Sequence, residues 1–500
     1  LNLTENELFQ LQDGFESITI GRSNGSGIIT IENNVTFLDP ITIQSPETSG
    51  IINVNTAIFG IDNASITLKG TTNLNADLAT DNQDIAIEGD TTLGGNITID
   101  TGLGGGGDIR FLGAVNATTG GIENLTVTSG NGNITFDGEV GDINRLGTLE
   151  ANSSGTTRFN SNVTVNNLTT DAGGITQVLG NVTTLGVAGV QDYQDVLELL
   201  GSITLTANEI NFGDVVAGTG DVRFHAFNQD IVIGGTTDTD DTLNLTENEL
   251  FQLQDGFESI IIGRPNGSGI ITIENNFTFS DPIIIQSSDA GGTINVNNTI
   301  SGIDDASITL QGTTFLNADL TTNSQDITIE GDTALGENII IDTNIGGIII
   351  DTNIGGGNIH FLGAVNAAIA NVGNLTVTSG NGDIIFDGGV SNIIPLANIV
   401  ANSNGTTRFN SNVTANSLTT DAGGETQLNG SVTTTLDQTY NDDNVRLDNN
   451  ITLNSIANAD ITFDGTVNSE DDNPRNLTIN SGNITFNNQI GNEQPLGILQ

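Results

Sequence analysis

Short runs of alternating apolar and polar residues recur along the whole chain: Ser17-Ile18-Thr19-Ile20, Asn96-Ile97-Thr98-Ile99, Asp108-Ile109-Arg110-Phe111, Asn133-Ile134-Thr135-Phe136 and Asp230-Ile231-Val232-Ile233. Period-two alternation puts Ile97 and Ile99 on one face and Thr98 on the other, the pattern of a half-buried strand. Between the runs stand Gly, Asn, Asp and Ser, as in Thr128-Ser129-Gly130-Asn131-Gly132, residues that reverse the chain at little cost. The pattern predicts strands of about four residues separated by tight turns throughout. The one departure is Leu3 to Gly14, which reads as a short helix: Thr4 and Glu7 form a capping box, Leu3 and Leu8 a hydrophobic staple, and Gly14 a stop. Its copy at Leu245 to Gly256 keeps every element, and the expected role is a corner helix over the apolar flank of a coil.

Residues 1–34 recur at 243–276 with two differences, Thr19 becoming Ile261 and Ser23 becoming Pro265. The sequence therefore divides into one repeat unit at 1–242 and a second at 243–500. In the second, Ile339 to Gly347 is immediately copied as Ile348 to Gly356, a nine-residue tandem duplication over 339–356. Beyond it the match resumes, so that Phe111 corresponds to Phe361 and Thr156 to Asn160 correspond to Thr406 to Asn410. A finer module, Asn124 to Leu149, returns as Asn374 to Ile399 and again from Asn476, and the sequence ends inside that third copy. Self-similarity on several scales is the signature of a solenoid, in which each turn touches only its neighbours and an insertion is absorbed at a corner. The expected fold is all-β, a right-handed parallel β-helix (β-solenoid) with short corner helices, of which this chain is an interior piece. A string of antiparallel sandwiches is the competing architecture.

Composition narrows the function. The 500 residues carry 61 Asp and Glu against 10 Lys and Arg, a formal charge of −51. So negative a surface repels phosphate, which argues against nucleic acid and anionic membranes as partners. The absence of cysteine removes disulfides, thiolate nucleophiles and cysteine-based metal sites. Apolar runs such as Ile348 to Ile350 are too short to span a bilayer.

The run Leu3-Thr4-Glu5-Asn6-Glu7-Leu8 through Leu11-Gln12-Asp13-Gly14-Phe15, continuing to Ser17–Arg22 and Asn24-Gly25-Ser26-Gly27, resembles a block of the large filamentous-haemagglutinin-like exoproteins of bacteria. Asn133 to Gly138, Gly155 to Asn160 and Leu168 to Gly174 are similar to repeats of the same giant proteins. The resemblance implies a right-handed parallel β-helix exported by two-partner or related secretion. It further implies an extracellular role in adhesion, cell contact or matrix. A chain without cysteine is compatible with threading a pore unfolded.

Candidate chemistry is sparse. His225 and His360 are the two histidines, and His360 stands where the first repeat has Arg110. A general base needs an oriented partner, so His360 reads as an outward strand residue. Asp221, Arg223 and His225 alternate and share one strand face, where they could bind or cleave a polysaccharide, although alternation alone explains the pattern. Asp238, Asp240 and Asp241, then Asp442 and Asp443, then Glu470, Asp471 and Asp472 are oxygen clusters of the kind calcium takes, so calcium is the one cofactor considered. Leu103 breaks the calcium-binding nonapeptide at Leu103 to Asp108. Paired threonines such as Thr126 with Thr128 and Thr204 with Thr206 give an ice-binding pattern that holds no fixed period. Asn-x-Thr triplets, as at Asn34 and Asn162, carry little weight in a chain so rich in both residues. No catalytic or cofactor-binding residue is assigned.

The functional expectation is a structural and adhesive extracellular rod, an internal segment of a secreted bacterial surface adhesin, and not an enzyme. Its expected partners are cell-surface glycans, neighbouring cells or copies of itself. A self-assembling extracellular filament is the alternative, and a polysaccharide-cleaving β-helix a third reading.

Overall fold

In the computed structural model, Ile18 lies beside Ile41, Ile41 beside Ile66, Ile66 beside Ile85, Ile85 beside Ile109 and Ile109 beside Ile134, every pair in a parallel ladder. The alternation read from sequence thus becomes a column of isoleucines, one per coil. The four from Ile41 to Ile109 are at most 1% exposed and Ile134 is fully buried. The structure describes residues 2–102, 105–186, 188–236, 242–343 and 356–500. The fold is an all-β parallel solenoid, as the repeats imply, and each described strand pairing is parallel rather than the antiparallel pairing of a sandwich.

The chain forms two compact units, Leu1–Asn228 with Thr237–Phe257, and Gln229–Thr236 with Glu258–Gln500. In the first, strands from Ile18–Gly21 to Val216–Gly218 make a ten-stranded sheet along one face. A second face runs from Ile28–Ile31 through Ile51–Val54 and Thr71–Leu74 to Val115–Ala117, and a third begins Val35–Phe37, Ile58–Gly60, Leu78–Thr80. Each coil therefore offers three inward faces to one core. Ten coils at the usual strand spacing stack to about 45 Å.

Aromatic residues occupy the next inward column. Phe111, Phe136 and Phe159 stack nearly parallel with centroids 4.8 and 5.2 Å apart. In the second unit Phe361, Phe386 and Phe409 repeat this at 4.7 and 5.1 Å, and Tyr440, Phe463 and Phe486 form a further column at 5.1 and 4.9 Å. Spacing is set by the backbone ladder, so each ring meets its copy at van der Waals distance. Burial of each of these rings but the half-buried Phe486 contributes roughly 1.5–3 kcal/mol.

Not all strands are as short as the local pattern suggests. Val163–Thr170 pairs through its first half with Val182–Thr184 and through its second with Val190–Tyr193. Ile308–Leu316 does the same with Ile327–Ile329 and Thr333–Leu335. Such strands bend around a corner and serve two faces. In the second example the bend is at Gly312, whose φ of +145° disfavours any side chain.

The corners explain the wealth of Asn and Asp. Asp84 Oδ1 accepts the N–H of Asp108 one coil on at 2.8 Å, Asp108 Oδ1 that of Asn133 at 2.7 Å, and Asn133 Oδ1 that of Thr156 at 2.9 Å. A side chain at each corner thus satisfies a backbone donor left over where the ladder breaks. Glycines stack at the neighbouring corner: a Cβ on Gly138 would come within 2.4 Å of the Gly113 carbonyl carbon.

The insertion in the second repeat is absorbed within one coil. Ile327 pairs with Ile359 there, where Ile85 pairs with Ile109 in the first unit, so the ladder keeps its register across it. Residues 344–355, which hold most of the tandem copy, lie outside the described residues.

The predicted helices are present but shorter than Leu3 to Gly14 implied: α1 spans Glu5–Leu8 and α2 Glu247–Gln252. Both capping boxes form, with Thr4 N donating to Glu7 Oε2 and Thr246 N to Glu249 Oε2, each at 2.8 Å. The chain is already extended at Leu253, so the helix ends before Gly256. In the first unit α2 packs beside strand Glu209–Phe212 through Glu249 rather than through Phe251, which is 84% exposed.

Candidate functional site

The ten-stranded face of the first unit carries an outward column in strict register: Ala86, Arg110, Thr135, Arg158, Gln177 and Glu198. Alternation puts these side chains in solvent because Ile109, Phe111, Ile134 and Phe136 must face the core. Hydrogen bonds link the column along the stacking direction. Arg110 Nε and Nη2 each donate to Asp137 Oδ2 at 2.7 Å. Asn160 Nδ2 donates to the other oxygen of Asp137 at 2.7 Å, and Arg158 Nε to Asn160 Oδ1 at 2.6 Å. Arg158 Nη1 then donates to Gln177 Oε1 at 2.6 Å, and Gln177 Nε2 to Glu198 Oε2 at 2.8 Å.

Around Arg110 and Arg158 this surface dips into a groove of about 440 Å³, floored by the same strands and edged by the corner residues Asp108, Asn133 and Thr156. The groove is edged by two guanidinium groups, two carboxylates, two amides and two hydroxyls, while the Ile109 side chain turns into the core beneath it.

The second unit has the same frame with different groups. His360 takes the place of Arg110, and its Nε2 lies 2.7 Å from Asp387 Oδ2, with Asn410 Nδ2 donating to Asp387 Oδ1 at 2.6 Å. Ile385 stands between His360 and Arg408 where Thr135 stands between Arg110 and Arg158. Burial works to raise the Asp387 carboxyl, but its hydrogen bonds from Asn410 and His360 and the nearby Arg408 leave it below the usual carboxylate range. The oriented partner that sequence reasoning did not give His360 is therefore there. Yet Arg110 holds the matching carboxylate in the first unit, and an arginine is no general base, so what the two repeats share here is a side-chain nitrogen set against that carboxylate.

Asp221, Arg223 and His225 do share one half-buried face of strand Asp221–Ala226, and Arg223 Nη2 meets Asp221 Oδ2 at 2.6 Å. Of the acidic groups read as calcium ligands, Asp442 and Asp443 face opposite ways. Asp442 is fully buried, with both Thr420 and Thr426 donating to its Oδ2, whereas Asp443 is exposed. Burial pushes the Asp442 carboxyl up to about 6, against the pull of the two threonines. Asp195 in the first unit is also held by two threonines, Thr170 donating to its Oδ1 and Thr176 to its Oδ2, and is also raised, again by burial first. Glu470 lies 3.9 Å from Arg446, and Asp471 accepts from Arg475 at 3.3 Å. Asp238, Asp240, Asp241 and Leu103 lie outside the described residues. Thr126 and Thr128 do point outward, but Glu150 and Asn152 stand beside them on the next coil and break the threonine array.

Sequence reasoning placed Arg110 outward but missed its partner Asp137, because twenty-seven residues separate them. The available signal was the repeated Phe-Asp-Gly and Arg-Phe-Asn triplets, at Phe136 and Arg158 and again at Phe386 and Arg408. Among the described residues no helix is long and apolar enough to cross a membrane. No family model matches the sequence, and neither does any curated protein or solved structure.

Proposed function

We propose that this chain is a structural and adhesive segment of an extracellular bacterial surface protein, in which the solenoid serves as a scaffold and its outward columns as the contact surface. The observation that carries the reading is the division of labour along the described coils. Inward positions are filled mostly by stacked Ile, Leu, Val and Phe, and outward ones largely by Thr, Asn, Asp and Arg, many of which hydrogen-bond to neighbours one coil away. A surface of this kind is ordered, polar and repetitive, suited to many weak contacts. The resemblance to filamentous-haemagglutinin-like exoproteins supports export and adhesion, and the acidic surface favours a solvated, non-aggregating scaffold.

The test is attachment. Beads coated with the purified chain should bind bacterial or host cells, or extracted extracellular matrix, well above beads coated with an equally acidic control protein. Binding no better than the control overturns the reading. Electron micrographs of the same preparation showing fibres that grow with concentration would favour the self-assembling filament instead.

A further inference from the structure

We infer that the groove around Arg110 and Arg158 is a binding site for a neutral oligosaccharide, laid along the stacking direction of the first unit. The inference rests on the adhesive reading and names the ligand class it would use.

The chemistry follows from what lines the groove. Two arginines face two aspartates, Asp108 and Asp137, so the groove is formally neutral within a chain of charge −51. An acidic polysaccharide would enter against the field of the whole molecule. A peptide would find no sheet edge to extend, because the strands that floor the groove are paired on both sides. A sugar hydroxyl is both donor and acceptor, and it is satisfied where donor and acceptor groups alternate at short range. This is the arrangement along Arg110, Asp137, Asn160, Arg158 and Gln177, whose hydrogen bonds run from 2.6 to 2.7 Å. These partners fix one another's rotamers, so little side-chain freedom is lost when a ligand arrives. The site is also open, because the Arg110 side chain is 57% exposed while Asp137 beneath it is 24% exposed. Successive coils lie about 4.8 Å apart, close to the length of one hexose unit, so a short chain of sugars laid across them meets Arg110, Thr135 and Arg158 in turn.

The second unit supplies an internal comparison. Its matching surface has His360 for Arg110 and Ile385 for Thr135, which removes a forked donor and puts a branched hydrocarbon where a hydroxyl stood. Hydroxyl-binding sites reject partners that leave polar groups unmatched, so the site belongs to the first unit alone.

The experiment uses the full chain and a panel of hexasaccharides from neutral glucans, mannans and galactans, with a uronic-acid hexasaccharide for contrast, read by titration calorimetry and saturation-transfer NMR. At least one neutral member should bind at millimolar or lower concentration with one site per chain, and the uronic-acid member should not. The double variant R110H/T135I, which imports the residues the second unit already tolerates, should weaken binding by about tenfold or more with unchanged circular dichroism and melting. The reciprocal H360R/I385T should raise the stoichiometry from one toward two. Absence of binding to every neutral member, preference for the uronic acid, or unchanged affinity in R110H/T135I overturns the inference. Cell attachment that survives in R110H/T135I while no saccharide binds would leave the adhesive reading standing and the groove refuted. Saccharide binding without any cell or matrix attachment would do the reverse.

Discussion

Asp108 and Asn358 occupy the same corner of the two repeats, and each accepts the N–H of the residue one coil on, Asp108 from Asn133 at 2.7 Å and Asn358 from Asp383 at 2.8 Å. The next corner swaps the pair: Asn133 in one repeat, Asp383 in the other, both accepting from a threonine, Thr156 at 2.9 Å and Thr406 at 2.7 Å. What the position requires is therefore an acceptor oxygen at that reach, and the charge is incidental. D108N should leave the melting temperature unchanged within error, whereas D108A should destabilise the first unit by about 1 kcal/mol. Urea melts followed by circular dichroism would separate the two, and equal losses in both variants would show that charge matters after all.

Asp442 gives a pH dependence with a definite sign. Its folded-state carboxyl sits at about 6 against an ordinary 3.8, so the folded chain holds this proton more tightly than the unfolded one. The stabilisation is full below the ordinary value and is lost as pH rises through about 6, a loss on the order of 3 kcal/mol. Stability measured from pH 3 to 8 in the unmodified chain and in D442N should diverge across that window, the unmodified chain falling relative to the variant. Parallel curves would mean that Asp442 stays charged in the folded state.

Removing one ring from an aromatic column should hurt locally. Phe136 is sandwiched between Phe111 and Phe159, and F136A leaves a void between two stacked neighbours. A loss of about 3–5 kcal/mol is expected, and because each coil touches only its neighbours it should be confined to nearby coils. Hydrogen exchange by mass spectrometry should show faster exchange over roughly residues 105–165 in F136A, while the matching column at Phe386 keeps its protection. Uniform loss of protection over the whole chain would refute the local picture.

The glycine corner tests close approach. A Cβ on Gly113 would come within 2.5 Å of the backbone of Gly89 and Asp90. G113A should therefore destabilise the first unit by more than the few tenths of a kcal/mol typical of a harmless surface change, with the thermal midpoint as readout. A neutral G113A would show that the corner can open.

Much of this architecture was legible because alternation is a local property. Ile97 and Ile99 declare their face without reference to any other coil, and repetition at two scales declares stacking. The groove around Arg110 and Arg158 was not legible, because it depends on which residues lie one coil apart. Coils differ in length: Ile66 pairs with Ile85 but Ile41 with Ile66, so no single period could join Arg110 to Asp137. Asp442 was misplaced for a different reason. Asp442-Asp443 looks like an acidic surface loop, yet Gln438, Tyr440 and Asp442 continue one period-two series into the core. A buried carboxylate is unusual enough that composition outweighed spacing.

The parallel ladder has a consequence for how such a scaffold behaves under tension. A coil adds about 4.8 Å to the stack, yet the coil from Ile18 to Ile41 holds enough chain to reach about 80 Å when drawn straight. Pulling at one end of a unit would detach its outermost turn while the rest stays wound. Each such event would lengthen the tether many-fold and absorb the jolt, and the turn could rewind against its intact neighbour once the load falls.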